Sequence, residues 1–195
     1  MDHPIITRSS RVAALLLPAL ILAGCLAIPG SSARSYRSLV DSTPPQTITV
    51  PVVGVRRSQL RDGWGSPRSG GRRHEGIDIF AKRGTPVVSA TGGYITRIGE
   101  TNLGGQSVSV IGSGGYSHYY AHLDRYADKE VGEWVDEGDT LGFVGTTGNA
   151  KGTSPHLHYG IYTLGGAINP YPLLAPEVKP PPGGSATQRS STGQR

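Results

Sequence analysis

The sequence predicts an all-β, or at least β-dominated, domain. Glycine and proline are frequent, with 29 and 15 copies among 195 residues, and no segment carries the apolar stripe of a helix of about ten residues or more. Short apolar stretches rich in valine, isoleucine and tyrosine are separated by glycines, as expected of strands and turns. Residues 106–111 alternate serine and valine, which is the period-two pattern of a half-buried strand. These observations favour a sheet protein over a helical one.

The first 24 residues have the pattern of a bacterial lipoprotein signal peptide. Arg8 and Arg11 precede an apolar run from Val12 to Ala23, which is shorter than the roughly 20 residues that span a bilayer. The only cysteine, Cys25, follows a Leu-Ala-Gly tripeptide that resembles a lipobox. We therefore expect lipid attachment at Cys25 after cleavage of residues 1–24, with an ordinary secretory signal as the alternative. A single cysteine also excludes an internal disulfide.

Two segments that flank the domain lack a periodic apolar pattern. Residues 25–52 are rich in serine, proline and threonine, which is typical of a flexible tether with a span of about 30 Å. Residues 177–195 begin with a proline and glycine run and predict a disordered tail. The domain is therefore placed at residues 53–176. Through the lipid it would lie in the cell envelope, and Leu26 after the cysteine favours the outer membrane, facing the periplasm, if the cell is Gram-negative.

Within the domain, the predicted strands cover residues 86–90, 93–98, 106–111, 116–123, 140–144 and 156–162. A Thr91-Gly92 turn joins the first two, and residues 131–139 predict a short strand or a wide turn. The loop at 145–153 contains three glycines. It lacks the lysine and following helix of a nucleotide-binding loop, so we interpret it as a flexible wall of a substrate groove.

Three short segments hold four of the six histidines and predict a metal site. His74 and Asp78 are four apart, His156 and His158 are two apart, and His122 lies in the segment between these pairs. In an extended strand, residues two or four apart point to the same face. A helix would instead turn positions two apart roughly 200° from each other. Two imidazoles and one carboxylate would give a catalytic zinc three protein ligands and leave a fourth position for water.

Other residues near these segments have weaker signals. A zinc-binding HExxH helix is excluded because position 78 is aspartate and Gly76 is a poor helix residue, so Glu75 is not assigned as a general base. On a regular strand, His118 would share a face with His122 and could contact substrate. The plainer interpretation is an imidazole at the edge of the cleft.

The basic residues indicate which kinds of binding partner the protein could have. Arg73, like Arg72 before it, precedes the first histidine segment and could meet substrate carboxylates, although loop arginines are usually only solvated. The formal net charge is +5, which is compatible with an anionic polymer as partner. The arginines are scattered rather than clustered with aromatic residues, which argues against a nucleic-acid partner.

The ordered series of motifs resembles the lysostaphin-type (LytM-domain) zinc endopeptidases of bacterial cell walls, over about residues 56–175. The segments that carry the resemblance are HxxxD at 74–78, GTPV at 84–87, GGYI at 92–95, YAHL at 120–123, VGTTGN at 144–149, PHLHY at 155–159 and AINP at 167–170. Any one of these segments is common, but the ordered series is specific. The resemblance implies antiparallel sheets with a narrow active-site groove.

The resemblance also implies a role for each residue. His74, Asp78 and His158 would be the ligands of one zinc ion, and His122 and His156 would be catalytic residues beside the metal-bound water. Zinc lowers the pKa of its water to about 7, and an imidazole, with an ordinary pKa of about 6.5, can exchange a proton with that water. The division of roles between His122 and His156 stays open.

The function implied is a lipid-anchored zinc endopeptidase that hydrolyses peptide bonds in peptidoglycan stem peptides or crosslinks. The alternative is a LytM-type regulator without catalysis, which binds the wall and activates other hydrolases. Because all three ligand positions and both catalytic histidines are present, the enzyme is favoured. The bond is a D-alanyl–diaminopimelate crosslink if the cell is Gram-negative, with a glycine-rich bridge as the alternative.

Overall fold

The computed structural model describes residues 35–174, so Cys25, the expected signal peptide and the expected tail lie outside the described residues. The described part contains one α-helix, α1 (Tyr36–Val40), four 3₁₀ turns and nine strands: β1 (Ile77–Phe80), β2 (Pro86–Val88), β3 (Gly93–Thr101), β4 (Gly105–Ile111), β5 (Ser117–Tyr126), β6 (Trp134–Val135), β7 (Thr140–Val144), β8 (His156–Thr163) and β9 (Gly166–Ile168). No helix in this range is long and apolar enough to cross a membrane.

All strand pairs are antiparallel, and the main order across the sheet is β1-β8-β5-β4-β3-β6. β9 pairs with β8, and β7 pairs with both β2 and β5. The centre of the sheet carries the most apolar sequence: Leu157, Tyr159 and Ile161 of β8 are fully buried. Buried β-branched and aromatic side chains of this kind suit a pleated surface that is covered by protein. The all-β antiparallel prediction is confirmed.

β5 changes its partner halfway along its length. Residues 117–121 pair with β8, whereas residues 123–126 pair with β7. His122 lies between these two halves and is the one non-glycine residue of the described range with a positive φ, 63°. A left-handed residue of this kind marks a bulge and is uncommon outside glycine, asparagine and aspartate. The bend in β5 therefore sets where the His122 side chain points.

The predicted strands at 86–90 and 93–98 exist as β2 and β3, but they do not pair with each other. β2 pairs with β7, and β3 lies between β4 and β6. A short turn such as Thr91-Gly92 is therefore not evidence of a hairpin here, because the chain crosses from one part of the bent sheet to another. The segment at 131–139, predicted to be a short strand or a wide turn, contains the two-residue strand β6.

Residues 35–52 pack on the domain, which corrects the predicted boundary at residue 53. Leu39, Ile48 and Val52 are 8%, 3% and 1% exposed. Ile48 forms an isolated bridge with Leu174, and Val52 forms one with Val87. The apolar residues of this segment follow neither a strand nor a helix period, so periodicity could not predict that they belong to the core. This packed segment is part of the domain.

Candidate metal centre

Three side chains bring their donor atoms together at one point. His74 Nε2 lies 3.1 Å from Asp78 Oδ1 and 3.0 Å from His158 Nδ1, and His158 Nδ1 lies 3.3 Å from Asp78 Oδ1. Ligands of one tetrahedral zinc with bonds of about 2.0–2.1 Å are about 3.3 Å apart. Two imidazole nitrogens and a carboxylate oxygen at these separations fit a metal ion such as zinc, with room for one further ligand.

His74 is held by a loop and not by a strand, contrary to the sequence argument. It lies three residues before β1, at the end of a loop closed by two backbone hydrogen bonds: Gly65 N–H donates to His74 O, and His74 N–H donates to Ser66 O. His74 Nδ1 lies 2.8 Å from the carbonyl oxygen of Gly63. A carbonyl oxygen only accepts, so Nδ1 carries the proton and Nε2 presents its lone pair to the cluster.

Asp78 and His158 face each other directly across β1 and β8. This register explains why the HxxxD and HxH motifs meet. Gly76 allows it, because a Cβ at that position would lie 2.8 Å from Cε1 of His158 and 2.5 Å from the carbonyl oxygen of Tyr159. Such contacts are below ordinary van der Waals separation, so a larger residue at position 76 would displace the His158 ring or the strand.

The second oxygen of Asp78 is bound by an arginine. Arg68 Nη2 donates to Asp78 Oδ2 at 2.5 Å, while Asp78 Oδ1 faces the two imidazoles. Burial by itself would raise the pKa of Asp78, but the hydrogen bonds with His158, His74 and Arg68 outweigh it and hold that pKa well below its ordinary value. Asp78 is therefore ionised at any physiological pH and offers one oxygen to a cation.

Two more histidines stand beside the cluster. His156 Nε2 lies 3.9 Å from Asp78 Oδ1, and the His122 ring lies 5.1 Å from that of His156 and 5.9 Å from that of His158, between centroids. His122 Nδ1 donates to Thr147 O at 2.9 Å, and His156 Nδ1 donates to Ser154 O at 2.8 Å. Both rings are thus oriented by a carbonyl and keep Nε2 as a proton acceptor.

The protonation of the His122 ring follows from its surroundings. Burial, and then the neighbouring His158 and His156, lower the pKa of His122 to about 4. The ring is therefore neutral near pH 7. A neutral ring can accept a proton at Nε2, which is what a general base requires.

The cluster lies at the floor of a cleft of about 490 Å³. Arg73 lines this cleft, and its Nη1 donates to Gly65 O at 3.2 Å. Tyr119 also lines it, with its ring 6.3 Å from that of His158. Tyr119 therefore lies beside the candidate metal ligand His158, at the edge of the cleft where His118 was expected.

His118 does not reach the cleft. It is fully buried, and its Nδ1 lies 2.7 Å from the hydroxyl oxygen of Tyr159. Burial lowers the pKa of His118 to about 4, so the ring is neutral in the core. Its expected face was wrong because the bulge at His122 breaks the alternation of β5: His118 and Tyr120 face the core, and His122 is turned to the cleft.

A family model described as Peptidase family M23 matches residues 72–170, just over half of the chain. The chain belongs to peptidase family M23. The matched range contains the three residues of the cluster and the two flanking histidines. The resemblance to lysostaphin-type, LytM-domain peptidases is thereby confirmed.

Individual relatives of the chain are named as endopeptidases. The chain is 40% identical over 126 residues to the L-Ala–D-Glu endopeptidase of Bacillus subtilis, covering 58% of this chain and 39% of the relative. It is 34% identical over 108 residues to the peptidoglycan DD-endopeptidase ShyC of Vibrio cholerae, covering 55% and 24%. The chain thus spans about two fifths or less of these curated relatives. The catalytic domain of lysostaphin from Staphylococcus simulans superposes with a TM-score of 0.53 at 31% identity, covering 60% of this chain and 92% of that domain.

Proposed function

We propose that this M23 protein is a zinc-dependent endopeptidase that hydrolyses peptide bonds in peptidoglycan. The observation that carries the proposal is the cluster of His74, Asp78 and His158, whose donor atoms lie 3.0–3.3 Å apart in an open cleft. Peptidoglycan as substrate is supported by the names of the relatives, one of which is a peptidoglycan endopeptidase. Another is named for a bond to D-glutamate.

The protein's own residues can supply the proton transfers of peptide hydrolysis. Zinc held by the cluster would act as a Lewis acid that polarises the peptide carbonyl and lowers the pKa of water beside it. Nε2 of His122 or His156 then takes a proton from the attacking water and gives a proton to the leaving amine. While it holds that proton, the imidazole can donate a hydrogen bond to the oxyanion of the tetrahedral intermediate. The carbonyls of Thr147 and Ser154 hold both rings in the orientation that this requires.

The products released from purified peptidoglycan sacculi test the proposal. The zinc-loaded chain is expected to release soluble muropeptides, and mass spectrometry of these products identifies the bond that is cut. New amino and carboxyl termini within stem peptides or crosslinks support an endopeptidase. Zinc binding together with intact sacculi would instead favour the regulator, which should stimulate an added wall hydrolase without releasing muropeptides by itself.

Arg68 gives a prediction about zinc affinity. Replacing Arg68 by methionine should weaken zinc binding by about 10–100-fold, because groups that orient a metal ligand typically contribute that much and Arg68 fixes Asp78 through Oδ2. Competition with a chromogenic chelator measures the dissociation constant. Arg72→Met is the matched control, since Arg72 lies in the same loop but its hydrogen bonds within residues 35–174 go to Ser69 and not to a metal ligand. Equal affinity in the wild type and Arg68→Met would contradict this role.

Membrane attachment through Cys25 is part of the proposal and rests on the sequence alone. The wild-type chain should incorporate a fatty-acid analogue during growth, and Cys25→Ser should not, because the sulfur that carries the lipid is gone. The serine variant should also persist as a larger precursor on a denaturing gel. Labelling of the serine variant at the wild-type level would contradict the lipobox interpretation. Fractionation of the labelled wild type then tests the expected outer-membrane location.

A further inference from the structure

The cleft of this chain is strongly basic for a site that contains a cluster of potential metal ligands. It is lined by four arginines, Arg68, Arg72, Arg73 and Arg97, against the two carboxylates of Glu75 and Asp78. Arg68 is paired with Asp78. Within residues 35–174, the other three arginines have no carboxylate within 4.0 Å, and the hydrogen bonds described for Arg72 and Arg73 go to uncharged oxygens. A divalent cation in the cluster would add to this positive charge.

Arg97 reaches the cleft through a bulge in β3. Ile95 is in the core, and a regular strand would place residue 97 on the same face. The pairing of β3 with β4 shifts between Ile95 and Arg97, and both Thr96 and Arg97 are exposed. A Cβ at Gly99 would lie 3.8 Å from Nε of Arg97, so the arginine passes beside a position without a side chain. The bulge therefore places the Arg97 guanidinium at the cleft. In a regular strand the Arg97 side chain would point to the core, on the same face as Ile95.

Arg72 and Arg73 approach the cleft from a different element, the loop that leads into His74. Their exposed guanidinium groups therefore lie on a wall separate from β3. Between the walls, Tyr119 packs near Tyr162, with ring centroids 6.2 Å apart, and both tyrosines line the cleft. A peptide that lies over these rings, beside His74, Asp78 and His158, would be flanked by arginines from the loop and from β3.

We infer that the cleft selects peptides that carry free carboxylates beside the scissile bond, which are anionic stem peptides and not neutral glycine-rich bridges. This rests on the proposed peptidase function and specifies its substrate. A guanidinium binds a carboxylate with two parallel hydrogen bonds, and such charge-assisted bonds are the strong ones. A neutral glycine bridge has no group to pair with the three arginines, so it would leave their charge without compensation. The carboxylates in question are those of D-glutamate and diaminopimelate in the stem.

Two synthetic crosslinked muropeptides that differ only in their carboxyl groups test the inference. One carries free carboxylates at D-glutamate and diaminopimelate, and the other carries carboxamides there. For the full-length zinc-loaded chain in detergent, kcat/KM should be at least about tenfold higher for the acid form, chiefly through KM. Arg97→Gln should reduce this preference about fivefold or more, because one charge-assisted contact to the substrate carboxylates is lost. Arg37→Gln, which removes the same charge from the exposed helix α1, should keep the wild-type preference.

Calorimetry can measure how the same two peptides bind to the metal-free chain. This measurement involves no hydrolysis and no attraction between the carboxylates and zinc. Tighter binding of the acid form, weakened in Arg97→Gln, supports the inference even if neither peptide is cut. Hydrolysis of both peptides with equal kcat/KM, or equal binding of both, overturns the inference and leaves the peptidase intact. Zinc binding without hydrolysis of either peptide counts against the proposed peptidase alone.

Discussion

Replacing His158 by alanine is expected to remove zinc from the protein and to abolish hydrolysis of peptidoglycan. The His158 Nδ1 atom lies 3.0 Å from His74 Nε2 and 3.3 Å from Asp78 Oδ1, so its loss leaves only two of three donors. Zinc content, measured by elemental analysis after gel filtration, should fall from about one ion per chain to less than about a tenth. His74→Ala and Asp78→Ala should behave in the same way.

His156→Ala is the matched control for this experiment. It removes an imidazole from the same strand, two residues away, but one whose Nε2 is farther from the Asp78 oxygen, at 3.9 Å. This variant should keep its zinc. Loss of zinc in His156→Ala together with full zinc in His158→Ala would mean that the two histidines of β8 have exchanged roles. Circular dichroism distinguishes lost metal from a lost fold.

His122→Ala and His156→Ala should each lower peptidoglycan hydrolysis by at least about 100-fold while zinc stays bound. A positioned acid–base group contributes about 10²–10⁴-fold, and both rings present Nε2 beside the cluster because a carbonyl holds Nδ1. The rate of release of new amino groups from sacculi measures the loss. The two rings are 5.1 Å apart and can act as one unit, so the double variant need not multiply the two losses.

Asn149→Ala is the control for these two variants, because Asn149 is an exposed residue of the same cleft without an ionisable group. It should lose less than about tenfold. Wild-type turnover in both single histidine variants would remove the support for acid–base catalysis by these rings. A large loss in only one of them would assign the proton transfers to that residue.

The sequence predicts the metal site best where it lies on regular strands. The two-residue spacing of His156 and His158 requires a strand, and β8 places both beside β1, where Asp78 is the direct partner of His158. The local period of two predicts that His156 and His158 share one face. The pairing of β8 with β1 that brings Asp78 to His158 is a distant contact, which this period does not show.

The parts that were not predicted depend on irregular backbone or on distant contacts. His74 is oriented by a loop and the carbonyl of Gly63, and the left-handed His122 turns its side chain away from the face of His118. Arg68 meets Asp78 through the loop that closes at His74. A bulge has no fixed signature in periodicity, and glycine, which would signal a positive φ, is absent at position 122. The burial of Ile48 likewise depends on a bridge to Leu174, far along the chain.

Titration of the metal-free protein with zinc, followed by release of muropeptides from purified sacculi, tests the central claim most directly. The release rate should rise in proportion to added zinc and level off at about one equivalent per chain, because one cluster of three ligands binds one ion. The His158→Ala chain, titrated in parallel, should stay inactive. Release by the metal-free protein, or zinc binding at one equivalent with no release from sacculi, would contradict the assignment of this chain as a zinc endopeptidase.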